Sequence, residues 1–421
     1  MRITDETADF IRLHRLDDVR ALALKGDGNG KVDLAFALNQ IQGWQTARRK
    51  LPSWAAADGM VYPPHLNMEQ CSSEATARYK SHCLASGRDL SQATLVDLTG
   101  GFGVDFSIMS RPFAKAIYVE RNAELAEVAR HNFGVLGLGN VEAVCADATE
   151  FLATLPRKSG EGPQTVVFLD PARRDGNGKK VFRIEDCSPD IIGLRDELLS
   201  RADVIMIKFS PMLDWHMALS QLGHDLPAWA GDIEQEVHVV STRNECKELL
   251  IVMSRAQGEK RPTRIVCHND GQRFETADTH SKPTLWQGDP EDAKGMCLFV
   301  PNASIMKAGV FGELSREYGI DMLDRDSHLF ISGQDRPDFP GRRFEIDRAC
   351  TMNKKDLRKA LEGISQANVS ARNFPVGADA LRKRLRLKDG GDTYLFATTV
   401  GKKHIVLVCH TMMTQCHTDK N

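Results

Sequence analysis

The sequence predicts an α/β protein built around a parallel sheet, and three observations carry that prediction. Short apolar runs (TLVDL, AIYVE, NVEAVC, TVVFLD and DVIMIK) recur between positions 94 and 208. Amphipathic stretches such as 122–136 and 189–199 separate them, and strands alternating with helices at this pitch build βαβ units. Two further runs, EVHVVS and ELLIVM, lie six residues apart, too close for a crossover helix, so they must pair antiparallel.

Residues 1–88 read as a helical region. The stretch 13–24 and the spacing of Leu34, Ala37, Leu38 and Ile41 fit helices; Pro63-Pro64 interrupts them, and Ser72 or Ser73 caps the next one. The sheet domain spans 89–290, becoming turn-rich after about position 255. Residues 291–336 form a small segment of strand, helix and strand, and the prolines at 337 and 340 mark a linker. A last module, 337–410, alternates basic helices near 354–361 and 379–385 with the strands TYLFATTV and HIVLVC, leaving 411–421 as a tail.

Composition excludes several classes. The 421 residues carry 55 Lys and Arg against 57 Asp and Glu, with 42% hydrophobic residues, an ordinary globular balance. No apolar run approaches the ~18 residues that a membrane span needs. The N-terminus lacks a signal-peptide pattern. Ten cysteines without paired spacings read as reduced thiols in the cytoplasm. Cys409-His410 and Cys416-His417 superficially resemble ligand pairs, but they stand at a terminus expected to fray, so no metal is assigned. Charge is uneven: between 341 and 404 there are fifteen Lys and Arg against seven Asp and Glu, a basic module on an acidic body. Such a module suits either a polyanionic substrate or a solvated face.

The first strand ends in Asp97-Leu98-Thr99-Gly100-Gly101-Phe102-Gly103, where glycines allow a sharp turn and close approach to a ligand. A dinucleotide fingerprint would need glycine at position 106, which is Phe106. Glu120 ends the second strand, Asp147 follows the third, and Asp170-Pro171-Ala172-Arg173 ends the fourth. Four acids at successive strand ends, 23, 27 and 23 residues apart, lie on the edge where open α/β sheets bind ligands. A carboxylate at Glu120 can accept ribose hydroxyls, and one at Asp147 an adenine amino group.

This ordered set resembles the class I S-adenosylmethionine-dependent methyltransferases, whose Rossmann-like, seven-stranded sheet closes with an antiparallel hairpin. The motifs EQCSSEATARYK at 69–80, DLTGGFGVD at 97–105 and DPARRD at 170–175 sharpen the resemblance, as do STRNECKELL at 241–250, PNASIMKAGVF at 301–311 and LRKRLRLKDGGDTYLFATT at 381–399. They are similar to a bacterial methyltransferase family with a ferredoxin-like segment and a C-terminal THUMP-like domain, both small α+β modules. THUMP domains bind RNA, so the resemblance implies an RNA methyltransferase acting on tRNA or rRNA, with S-adenosylmethionine as cofactor. It places Gly101 and Gly103 at the methionine side, Glu120 at the ribose and Asp147 at the adenine, with Asp97, Thr99 and Ala148 also among the cofactor-binding residues. Gln70, Thr76 and Lys80 match a segment that folds over the cofactor, where Lys80 meets its carboxylate or remains a solvated helix lysine.

Amino-methylating relatives often carry Asp/Asn-Pro-Pro-Tyr/Phe, but here Ala172 and Arg173 replace the second proline and the stacking aromatic. Pyrimidine C5 methylation needs a cysteine, and the fifth strand ends in Lys208-Phe209-Ser210-Pro211; Cys187 is the nearest alternative thiol. Asp170 is therefore the expected polar catalytic group, with Pro171 and Arg173 beside it. Arg173, Arg174 and Lys208 can bind a substrate anion, or Arg173 pairs structurally with Glu185 or Asp186. Arg382, Lys383 and Arg386, among leucines 381, 385 and 387, are the expected RNA contacts. Two rival functions stand beside this one: methylation of a small molecule or protein, and RNA binding without catalysis.

Overall fold

The computed structural model describes residues 4–26, 30–158, 162–173, 184–256, 258, 259, 261–277 and 281–412. The chain divides into two compact units, Met1–Gln235 with Leu249–Arg261 and Glu236–Glu248 with Pro262–Asn421.

The first unit opens with helices α1 (Asp5–His14), α2 (Val19–Lys25), α3 (Leu34–Lys50), α4 (Pro52–Ala56), α5 (His65–Gln70) and α6 (Glu74–Ala85). The expected stretch 13–24 is two helices, because the Asp18 carboxylate accepts from the Ala21 N–H and starts α2 afresh. Pro64 precedes α5, and Ser73 caps α6 through the Thr76 N–H.

Five strands follow: β1 (Thr94–Asp97), β2 (Lys115–Glu120), β3 (Val141–Cys145), β4 (Thr165–Leu169) and β5 (Val204–Phe209). Between them run α7 (Val104–Met109), α8 (Ala123–Val135), α9 (Ala148–Thr154) and α10 (Ile191–Arg201), and α11 (Trp215–Gly223) follows β5. The hairpin of β6 (Ile233–Thr242) and β7 (Glu245–Arg255) closes the set, and the division between the units passes through it. The order is β3-β2-β1-β4-β5-β7-β6, with β1 to β5 parallel and β7 antiparallel to β5. This is the seven-stranded arrangement the sequence predicts. Strand order reverses between β1 and β4, so the loops leaving them diverge and open a crevice at their carboxyl ends.

The N-terminal helices do not form a region of their own. Leu51, Trp54, Tyr62, Met68 and Ala77 share one buried cluster with Phe102, Val104 and Ile108, which belong to the glycine turn and α7. The helices thus buttress the turn after β1.

In the second unit, β8 (Arg264–Asn269) runs parallel to β6 and pairs antiparallel with β9 (Gln272–Thr276). The sequence reading took this part as turn-rich. The turn between the two strands is Asp270-Gly271, with Asp270 at φ 52, a hairpin signal that the polar flanks obscured.

A second sheet holds β10 (Cys297–Pro301), β11 (Asp321–Met322), β12 (Phe330–Ser332), β13 (Gly341–Thr351), β14 (Asn368–Ala371), β15 (Thr393–Val400) and β16 (Lys403–Thr411), in the order β11-β12-β10-β13-β16-β15-β14. Helices α12 (Ala303–Ala308), α13 (Phe311–Tyr318), α14 (Lys354–Ala360) and α15 (Ala378–Leu385) accompany it. Both faces are covered: along β16, Ile405, Leu407 and Cys409 enter one buried cluster, while Val406 and Val408 enter another with Leu381.

The expected linker at 337–340 is not one. Phe339 is buried, with its ring centroid 5.1 Å from Phe299 and 5.5 Å from Tyr318. Gly341, just past Pro340, starts β13, which pairs with β10 on one side and β16 on the other, so a single sheet runs through the whole of this part.

Candidate functional site

The crevice is a cavity of about 600 Å³ at the carboxyl ends of β1 to β4. Gln70, Asp97, Thr99, Gly101, Gly103, Glu120, Asp147, Ala148 and Asp170 all line it. These positions are scattered over a hundred residues of sequence, and the fold gathers them.

The glycine turn shapes its floor. Gly103 has φ 84 and a Cβ there would lie 2.7 Å from the Phe133 ring, so two independent constraints demand glycine. Gly100 is constrained by packing alone, since its Cβ would lie 2.1 Å from the Tyr118 ring. Glu120 braces the turn: its Oε2 accepts from the Gly101 N–H at 2.9 Å and its Oε1 from the Asn122 N–H at 2.8 Å. A carboxylate offers about four acceptor positions, so capacity remains for hydroxyl donors from the crevice. Asp147 caps α9 through the Thr149 N–H at 2.8 Å.

Asp97 is buried. Burial, opposed by the Thr99 N–H at 3.0 Å and reinforced by the acids Asp105, Asp170 and Glu120, holds its carboxyl well above the usual range. The Thr99 hydroxyl accepts from the Asp170 N–H at 2.6 Å, which ties the turn after β4 to the turn after β1.

Beneath Asp170 lies a line of alternating charges. The Lys208 Nζ is 2.5 Å from Asp170 Oδ2 and 3.8 Å from Asp105 Oδ2. The Lys80 Nζ is 3.2 Å from Asp105 Oδ1, and the Ser72 hydroxyl donates to Asp105 Oδ2 at 2.7 Å. Burial alone would raise Asp105; the ammonium groups of Lys80 and Lys208, with Ser72, outweigh it and hold the carboxyl below its ordinary value.

Lys80 is therefore neither of the two things the sequence suggested. It is fully buried, does not line the crevice, and faces Asp105 rather than a cofactor carboxylate or solvent. A buried ammonium needs a buried partner, and Asp105 supplies it. Thr76 is also buried away from the crevice, its hydroxyl donating to the Ser73 carbonyl at 3.1 Å. Pro171 lies next to the lining residues Asp170 and Ala172.

The two-residue strand Ala172–Arg173 pairs antiparallel with Cys187–Ser188, which places Cys187 in a ladder, buried. Glu185 accepts from the Gln221 side chain. Arg174 lies outside the described residues. Cys71 does line the crevice, but burial pushes its thiol up to about 11, which disfavours a thiolate nucleophile near neutrality.

Sequence reasoning missed Ser72, Asp105 and the start of α10, where Ser188, Asp190, Gly193 and Leu194 line the crevice. Asp105 stood inside the DLTGGFGVD motif, and Asp190 has the look of a helix cap just before an apolar stretch; neither signals a crevice without the fold.

In the second unit, Lys383, Arg384, Arg386 and Lys388 are exposed at the end of α15 and just past it. Leu381 is buried, and Leu385 and Leu387 pack against the same cluster, so the leucines anchor the segment and the cations face water. Arg382 is half-buried and occupied by Asp379 at 2.8 Å and Asp389 at 3.7 Å. Cys409 is buried and His410 exposed on successive positions of β16, pointing to opposite faces; Cys416 and His417 lie outside the described residues.

Comparison with known proteins agrees with this geometry. Residues 298–340 match a family described as a ferredoxin-like domain, and 341–411 one described as THUMP domain-like. Two Mycobacterium tuberculosis proteins, from strains CDC 1551 and H37Rv, are described as uncharacterized S-adenosylmethionine-dependent methyltransferases. Each is 25% identical over 341 residues, covering 79% of this chain and 83% of the relative. A crystal structure from Porphyromonas gingivalis W83, described provisionally as a methyltransferase, superposes with a TM-score of 0.80 at 28% identity, covering 98% of this chain and 100% of that one.

Fold, crevice and relatives define a class I methyltransferase. Within that class, the chain is one that carries a ferredoxin-like segment followed by a C-terminal THUMP-like domain.

Proposed function

We propose that this methyltransferase acts on RNA, with transfer RNA or ribosomal RNA as the substrate class. S-adenosylmethionine is the methyl donor. The crevice fits it: a turn that only glycines can make, an acid braced across it with spare acceptor capacity, and a second acid capping the next helix. Glu120 would take the ribose hydroxyls, Asp147 and Ala148 the adenine, and Gly101, Gly103, Asp97, Thr99 and Gln70 the methionine end. The bound cofactor supplies an activated methyl group, and the chain's task is to align an acceptor with it and accept a proton. Asp170 would take that task, a reading supported by its position in the crevice lining and its tie to Thr99. The roles given to Pro171 and Arg173 follow from their position beside it.

The observation that carries the RNA reading is the THUMP-like module, whose leucine-anchored segment presents Lys383, Arg384, Arg386 and Lys388 to solvent. Exposed cations held by a fixed scaffold are what tracking a phosphate backbone requires. Mass spectrometry of nucleosides from the RNA of a deletion strain and its parent tests the reading. One methylated nucleoside should vanish on deletion. If every RNA modification persists and the purified protein labels a protein or small molecule instead, the RNA reading fails.

A further inference from the structure

Two sequence motifs take no part in the crevice: STRNECKELL at 241–250 and PNASIMKAGVF at 301–311. Their turns meet in the second unit, beside the Asp270-Gly271 turn and the start of β13, around a cavity of about 330 Å³. The Asn244 Oδ1 accepts from the Ala303 N–H at 2.8 Å. The Asn302 side chain donates to Gln272 Oε1 at 2.9 Å, and the Gln272 side chain donates to the Gly341 carbonyl at 3.0 Å. Separate segments are thus latched together around one hollow.

The lining keeps donors to spare. A carboxamide nitrogen carries two N–H groups; those of Asn302 and Gln272 use one each, and that of Asn244 uses none among the described residues. Asn269 is only 7% exposed, yet its carboxamide makes no hydrogen bond among the described residues, and its Oδ1 is wholly covered. A buried amide in a native protein is nearly always bonded, to protein, water or ligand.

Charge points the same way. Arg342 lines the cavity, is exposed, and meets no carboxylate among the described residues; its guanidinium lies over the Phe344 ring, 5.5 Å from the centroid. Its field falls instead on Arg372, a half-buried guanidinium that burial and Arg342 together hold below its ordinary value. Arg372 donates to the His328 carbonyl at 3.0 Å and also lacks an acid among the described residues. Two such neighbours call for an anion from outside.

The turn before the cavity carries strain. Arg243 and Asn244 have φ 52 and 57, a region that asparagine accepts and arginine adopts at a cost. Asp270, the acid of the lining, accepts from the Arg243 N–H at 2.8 Å through Oδ2, and its Oδ1 has no hydrogen bond among the described residues. One free acceptor among several donors complements an anion with a hydroxyl beside it.

We propose that this cavity holds a ribose–phosphate step of the RNA substrate, with the phosphate on Arg342 and the carboxamides of Asn244 and Asn269, and the 2′-hydroxyl on Asp270. The proposal rests on the RNA reading above and gives it a contact apart from α15. Phosphate oxygens in nucleic-acid complexes take bonds from arginine, asparagine and glutamine side chains, and the 2′-hydroxyl is what distinguishes RNA from DNA. Val300 and Pro301 are the apolar side chains of the lining, so an apolar ligand finds little contact. A carboxylate of an acidic peptide would satisfy Arg342 but brings no hydroxyl to Asp270.

The test is a salt titration of binding by the full-length protein to RNA from a strain lacking the gene. Arg342→Gln should weaken binding several-fold and lower the salt slope by about 0.7, the share of one single-strand phosphate contact. Asn269→Leu should weaken binding several-fold without loss of stability in urea, since its amide has no hydrogen bond among the described residues to give up. As competitors, oligouridylate should displace the RNA at concentrations several-fold below oligodeoxyuridylate and far below inorganic phosphate, and Asp270→Ala should shrink the gap between the two oligonucleotides. Inorganic phosphate competing as well as oligouridylate would make this a free-anion site and overturn the proposal, as would equal competition by the two oligonucleotides. Unchanged affinity and slope in Arg342→Gln overturns it while leaving the RNA reading intact. A parent protein that binds no RNA, or that binds poly-glutamate in its place, overturns both. If Asn269→Leu does not fold, the Arg342→Gln slope and the competition still decide.

Discussion

The two charged regions of this molecule follow opposite rules. Beneath the crevice, Lys80, Asp105 and Lys208 are buried or nearly so, and each is set by a charge of the other sign. On the THUMP-like segment, Lys383, Arg384, Arg386 and Lys388 stand in water, on a segment anchored by the leucines between them. A buried charge is committed to its partner, and its removal is felt as structure. An exposed charge is uncommitted, so its removal is felt mainly as lost attraction to a ligand. The same residue types therefore maintain a site in one region and search for a substrate in the other.

The difference can be broken from either side. The largest expected effect is at Asp170, where Asp170→Ala should lower methyl transfer by roughly 10²–10⁴-fold while cofactor affinity stays within a few-fold. Single-turnover kinetics and calorimetry on one preparation separate the two, and full turnover in the variant would reduce the residue to part of a turn.

Lys80→Ala should come next, as a loss of folding stability rather than of cofactor contact. It leaves Asp105 in the interior with only Lys208 and Ser72, and breaking a buried pair costs about 3–5 kcal/mol. Urea unfolding reads it directly. Unchanged stability with weakened cofactor binding would favour a lysine that reaches the cofactor.

Glu120→Ala should weaken S-adenosylmethionine binding by roughly 1.5–3 kcal/mol, the scale of a hydrogen bond to a charged group, measured by calorimetry. Unchanged affinity would mean that Glu120 only braces Gly101.

The buried pairs also give pH a sign. Asp105 is held below its ordinary value, and Glu236 is brought down to about 2 because His238 and Arg264 outweigh its burial. Both acids contribute stability that is complete above their unfolded values, near 4 to 4.5, and is lost as pH falls through the folded ones. The unfolding midpoint should therefore drop on acidification below about pH 4.5, while the Lys80→Ala variant shows a shallower drop. An identical pH profile in the variant would show that Asp105 is not the group responsible.

The smallest effect is expected on the exposed side. Replacing Arg382, Lys383 and Arg386 by Gln should weaken RNA binding and lower the salt slope by up to about two units on single-stranded RNA, at ~0.7 per phosphate contact. Arg382 already faces Asp379 and Asp389, so its share should be the least of the three. Stability and cofactor affinity should not move. A parallel salt titration for variant and parent would take the RNA grip elsewhere.

How much of this was visible in the sequence depends on how local the cause was. The sheet was legible because each strand carries its own apolar run, and the crevice because its acids sit where those runs end. Ser73 could be read as a helix cap for the same reason. Lys80 was not legible: its burial depends on Asp105, 25 positions on, and on Lys208, more than a hundred further. The pair β8 and β9 was hidden because Arg264, His268, Arg273 and Glu275 dilute the apolar pattern that marks a strand. The supposed linker was misread because proline content speaks for a break, whereas Phe339 decides the matter by packing against Phe299 and Tyr318.

Strand β13 carries a consequence for how this chain was inherited. It begins at Gly341, the first residue matched to the THUMP-like family, yet it completes the edge of β10 in the ferredoxin-like segment. A break there would strip hydrogen-bonding partners from both pieces and leave each with a raw, sticky margin. The two family descriptions thus meet where the backbone is least divisible. Recombination, gene fusion or truncation can move these modules only as one cargo, and a search for the ferredoxin-like half as a free-standing protein should come back empty.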